Sequence, residues 1–170
     1  TLYSAIKNQL AKTQPSSTIR ELILIEKKGD IEYRVSAPEM IALMGIKIPD
    51  IISRTLTPQW MLGTYTDGEG KHPFVIVTTN LFQNAFAGML AWEPDMTTDL
   101  KNYLPFASST LTAEFRDEIV RNKDVRALVT KEGTTIFLYS LIDNTTMVIA
   151  ENENTLNALL ARLENKAFVR

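Results

Sequence analysis

The chain predicts an α+β domain built on a mainly antiparallel sheet of hairpins flanked by helices, and three observations carry that prediction. β-rich runs come in pairs around turn residues, as at Lys27-Lys28-Gly29-Asp30 and Asp67-Gly68-Glu69-Gly70, which joins them as hairpins rather than as parallel βαβ units. Helical periodicity recurs elsewhere, most clearly in Leu156, Leu159, Leu160 and Leu163 at i, i+3, i+4, i+7. At 170 residues and 45% hydrophobic content, the chain is long enough for one well-buried core and short for two.

Taken in order, Tyr3, Ile6, Leu10 and Thr13 recur at helical spacing until Pro15-Ser16-Ser17 breaks the pattern. Residues 1–17 are therefore expected to be a helix and linker to an upstream region, and 18–170 a single domain. The start at Thr1, with neither Met nor a signal segment, fits a piece of a longer protein. Strands are expected over 19–26 and 31–35. Ser36 and Glu39 then have the spacing of a capping box, which starts a helix that runs to Met44 and stops at Gly45. A short helix over 49–56 and strands over 60–66 and 73–79 follow. Asn80 is placed to cap a helix carrying Phe82, Ala85, Phe86, Met89 and Leu90 on one face, and Pro94 is expected to interrupt it before a further helix over 95–103.

The Ser/Thr-rich segment 106–112 is the one internal boundary the composition suggests. Beyond it, strands are expected over 115–120, 125–129, 135–142 and 146–150, with a turn at Asn122-Lys123-Asp124, before a closing helix over 154–165. Segments 74–92 and 147–164 both read as strand, Asn-bearing loop and helix, with Asn84-Ala85 and Asn157-Ala158 in matching places. Two ββα-like units would explain this, and so would the general form of strand-to-helix connections.

Composition excludes more than it assigns. Without cysteine there are no disulfides and no thiolate metal sites, and 18 basic against 20 acidic side chains give no field that would draw the chain to nucleic acid. No apolar run approaches the roughly 20 residues of a membrane-spanning helix. The single histidine, His72, lies between Lys71 and Pro73 in a Gly-rich loop and is expected at the surface. No metal site and no cofactor motif is written in the chain, and the Asp67 loop lacks the spaced ligands of an EF-hand.

Two constellations remain. Glu93, Asp95, Asp117 and Asp124 sit at a helix break and near a turn, and any two of them facing each other would offer the acid and base of a carboxylate-dependent hydrolase acting on cell-wall glycan. Trp92, Arg121, Asn122, Asp124 and Arg126 instead suggest a binding surface, since Trp and Arg are enriched at interfaces. The structural alternative is a cross-strand ladder of Asp117, Ile119, Arg121 and Arg126, with Trp92 in the core. A small-ligand sensor would require an enclosed apolar pocket beside the sheet.

The segments Phe115-x-Asp117 to Asn122-Lys123-Asp124-x-Arg126, Leu138-Tyr139-Ser140-x-Ile142-Asp143 and Ala87-Gly88-Met89-Leu90-x-Trp92-Glu93 resemble the C-terminal domains of uncharacterised membrane-anchored bacterial proteins, over about residues 45–165. The resemblance implies an extracytoplasmic domain behind an upstream membrane anchor, and it carries no catalytic residue. The expectation from sequence is therefore a non-catalytic interaction or assembly module, with a protein partner or a second copy as its ligand.

Overall fold

Strands that are apolar on both sides must be covered on both sides, and that requirement sets the architecture. The computed structural model describes residues 1–104 and 112–164. It joins β1 (Thr18–Leu22), β4 (Leu56–Thr66), β5 (Lys71–Thr79), β9 (Thr146–Ala150), β8 (Thr135–Leu141), β7 (Lys123–Thr130) and β6 (Ala113–Val120), in that spatial order, into a seven-stranded antiparallel sheet. A separate hairpin pairs β2 (Ile25–Lys28) with β3 (Ile31–Arg34). Trp60, Leu62, Val77 and Ile149 face one core; Met61, Phe74, Ile76 and Val148 alternate with them and face the other. The first core is closed by α1 (Leu2–Ala11), α2 (Ala37–Met44), α3 (Asp50–Ser53) and α4 (Phe82–Leu100), the second by α5 (Glu153–Glu164). The chain is thus an α+β single domain.

Where local chemistry specifies an element, sequence and structure coincide. The Ser36 Oγ accepts from the Glu39 amide, Glu39 accepts from the Ser36 amide at 2.9 Å, and α2 ends with Gly45 in the left-handed region at φ 66°. Both ββα units exist, as β4-β5-α4 and β8-β9-α5. Their helices lie on opposite faces, so a rotation that lays β5 on β9 does not bring α4 onto α5.

Elsewhere the structure departs from expectation. The run 19–26 is two strands, because Leu22 pairs with Leu62 in the main sheet whereas Ile25 pairs with Arg34 in the small hairpin. The short helix covers only Asp50–Ser53, and Leu56 already belongs to β4. Asn80 does not cap α4; its amide donates to the Thr55 carbonyl, and Leu81 holds the cap position. Pro94 does not interrupt α4, which is continuous through it. The β6–β7 turn is Arg121-Asn122, both at positive φ (48° and 61°), the conformation that lets a two-residue loop follow the strand twist. Lys123 and Asp124 are therefore strand residues.

The expected linker is fastened to the sheet. Ile6 is buried in the first core, the Gln14 amide donates to the Thr18 and Thr64 carbonyls, and the Lys71 ammonium caps the last carbonyls of α1 at Ala11 and Lys12. Of the Ser/Thr-rich segment 106–112, at which the single domain is not divided, residues up to 111 lie outside the described residues, as does residue 165. Among the described residues no helix is long and apolar enough to cross a membrane.

Candidate groove between α4 and the β6–β8 strands

Antiparallel register sets the centre of the site. Asp117 on β6 pairs with Arg126 on β7, which pairs with Tyr139 on β8, so the three side chains form a row on the face that α4 covers. Ile119 pairs with Asp124 one step along. From α4, Glu93 reaches down to this row. Arg126 donates from Nε to Glu93 Oε1 at 2.8 Å and from Nη2 to Oε2 at 2.7 Å, and its Nη1 donates to Asp117 Oδ1 at 3.0 Å. The Tyr139 hydroxyl donates to Glu93 Oε1 at 2.8 Å.

The electrostatics follow from that geometry. Glu93, above all, raises the Arg126 pKa further, so the guanidinium is permanently charged. Burial and then the Glu93 acceptor push Tyr139 far up, which keeps its hydroxyl protonated as a donor. Both Glu93 oxygens are engaged in a paired arrangement, and a guanidinium stands between Glu93 and Asp117. A glycosidase pair needs two carboxyls facing a common space about 5–9.5 Å across. This trio does not supply that arrangement; it is a clamp tying α4 to the sheet.

Beside the clamp, an open groove of about 710 Å³ runs between α4 and the outer strands. Its apolar lining comes from Phe86, Ile119 and Leu141, its rim carries Asp117 and Asp124, and Arg126 and Tyr139 also line it. Ile119 is 75% exposed, unusual for a large aliphatic side chain. Phe86 stacks on Phe82 with centroids 6.3 Å apart, extending the apolar wall along α4.

The expected site residues separate on this framework. Glu93, Asp117, Asp124 and Arg126 gather at the groove. Asp95 is exposed on α4 and does not line it. Trp92 is buried in the first core, its indole N–H donating to Asp99 at 2.8 Å. Arg121 and Asn122 form the exposed turn, and Arg121 leaves the expected ladder to donate to the Asn157 carbonyl and to pair with Glu164 on α5. Phe86, Ile119 and Tyr139 were not expected as site residues. The signal for Phe86 is the four-residue spacing of Phe82, Phe86 and Leu90, which are exposed, offset from Ala85, Met89, Trp92 and Met96, which are buried; one apolar face is really two.

His72 corrects a second expectation. It is buried, because strand alternation places it on the same face as Phe74 and Ile76, beside the start of α5. Its Nε2 lies 2.9 Å from Asp67 Oδ1, its Nδ1 3.0 Å from Glu151 Oε2 and 3.2 Å from the Asn152 amide nitrogen. Burial pulls the imidazole pKa down, but the bonds to Asp67 and Glu151 outweigh it and the net shift is upward. Burial raises Asp67 in turn, and the His72 bond with the Glu69 and Gly70 amides reverses that to a net lowering.

Beneath α2 and α4, an apolar cavity of about 50 Å³ touches Met40, Trp92 and Met147. Small-molecule sites occupy about 300–1,000 Å³. Among the described residues, no three His, Asp or Glu side chains are grouped to hold a metal ion. Set against known proteins, the chain matches no family model, no curated protein and no solved structure at a significant level.

Proposed function

We propose that the chain is a non-catalytic interaction module of a larger, membrane-anchored bacterial protein, displayed outside the cytoplasm, and that it holds a polypeptide in the groove beside α4. The observation that carries this reading is the pairing of exposed apolar walls, Phe86 and Ile119, with a floor of Arg126 and Tyr139 that the half-buried Glu93 holds through both of its oxygens. Such a surface offers contact area and fixed orientation, and the Glu93 carboxylate beneath it is committed to Arg126 and Tyr139 rather than free for proton transfer. The extracytoplasmic location rests on the resemblance of three separate segments, and Glu93, Arg126 and Tyr139, one from each, meet in the clamp.

A photo-cross-linking residue at position 119 of the full-length protein in cells tests the reading. A discrete polypeptide adduct is expected at 119 and none at 116, whose arginine pairs with Glu114. Absence of an adduct at 119, or release of soluble glycan fragments from isolated cell walls by the purified protein, would overturn it.

A further inference from the structure

Resting on that docking reading, we infer that the polypeptide held in the groove is a basic amphipathic segment of a partner protein. Asp117 and Asp124 flank Ile119 on the α4 face of the groove, against the single guanidinium of Arg126, behind which lies Glu93. That cation is already committed, to Glu93 through Nε and Nη2 and to Asp117 through Nη1. Among the described residues Asp124 has no ion-pair partner, and the Asp117 side chain is 90% exposed.

The other arginines of the β6–β7 hairpin are held by partners of their own. Arg116 pairs with Glu114 at 2.9 Å, and Arg121 is drawn across to α5. The whole chain carries a net charge of only −2, so the acidity of the groove is local rather than a reflection of the average. Apolar walls would take the hydrophobic face of a segment, and the carboxylate rim would take Lys or Arg side chains flanking that face. Rim charges of this kind set orientation and association rate, while the apolar contacts supply most of the affinity.

A second copy is the less complementary occupant. Its most exposed apolar feature outside the groove, the β2–β3 hairpin with Ile25 and Ile31, has Lys27 paired with Glu32 and Lys28 laid over Tyr33, so it brings little unpaired positive charge.

The test uses three fluorescent peptides with one leucine pattern (i, i+3, i+4, i+7) and Lys, Gln or Glu at the remaining positions, titrated against the full-length protein. The Lys peptide is expected to bind at least tenfold more tightly than the Glu peptide, with the preference shrinking as salt approaches about 1 M. Asp117→Lys with Asp124→Lys should reverse it, and Ile119→Ser should weaken binding of the Lys peptide; circular dichroism and melting verify that both variants fold. Equal binding of the three peptides, or a preference untouched by the charge reversal, overturns the inference. An adduct at position 119 without a Lys-peptide preference leaves docking in place and removes only the basic occupant, whereas loss of both removes both. An adduct of 119 to a second copy of the chain also overturns the basic partner.

Discussion

Replacing Arg126 by Met keeps much of the side chain's length but leaves the Glu93 carboxyl under α4 with only the Tyr139 hydroxyl to hold it. Removing one partner of a fully buried pair costs about 3–5 kcal/mol, whereas replacing both with apolar groups is often near neutral. The Arg126 and Glu93 side chains are 20% and 14% exposed, so water screens part of that penalty, and Arg126→Met is expected to cost about 2–4 kcal/mol. Urea unfolding of Arg126→Met, Glu93→Leu and the double variant should show the double recovering most of the loss; additive losses would mean the clamp is not a unit. Half of this clamp is legible in the sequence. Asp117 and Arg126 flank a turn at compatible spacing, but nothing in the chain says that Glu93 lies over their strands, because which helix covers which strand is decided by the whole sheet. The burial of His72 is hidden in the sequence for a related reason. Its neighbours Gly70 and Pro73 suggest a loop, and the period-two pattern of His72, Phe74 and Ile76 is the stronger signal.

At the scale of elements, Gly88 is where α4 meets α3. A Cβ there would lie 2.5 Å from Ile52 Cγ1 and 2.8 Å from Ile51 Cγ2. Alanine would gain about 1 kcal/mol of helix propensity, yet the crowding costs about 1–3 kcal/mol, so Gly88→Ala is expected to lower the melting temperature despite the better helix former. A raised melting temperature would show that α3 moves aside freely. Elements with their own punctuation were readable, as α2 was from Ser36, Glu39 and Gly45. Elements defined by their partners were not: the apolar run 19–26 gives no hint that it divides between two sheets, and Pro94 marks a missing hydrogen bond without saying whether packing at Trp92 and Met96 carries the helix past it.

For the molecule as a whole, His72 links the β4–β5 loop, through Asp67, to the segment that opens α5, through Glu151 and Asn152. Because its folded-state pKa is raised, its contribution to stability is fully present below the ordinary imidazole value of about 6.5 and is lost as pH rises through the raised value. Asp67, with its pKa lowered, stays ionised across that window. The difference in melting temperature between the native protein and His72→Gln should therefore be larger at pH 6 than at pH 9, and a difference independent of pH would show that the imidazolium contributes nothing. The antiparallel hairpin plan and the helical flanks were legible from patterning alone; the strand order was not, because β5 and β9 meet across a long stretch of intervening chain. Val75 lies opposite Ile149 in that seam, while the hairpins on either side close short loops. Loop-closure entropy grows with the length of chain enclosed, so the β5–β9 seam is the slowest pairing to nucleate. The strand order thus carries a kinetic sequence, local hairpins first and their union last, and until that union the unpaired edges of the apolar strands β5 and β9 are open to other chains.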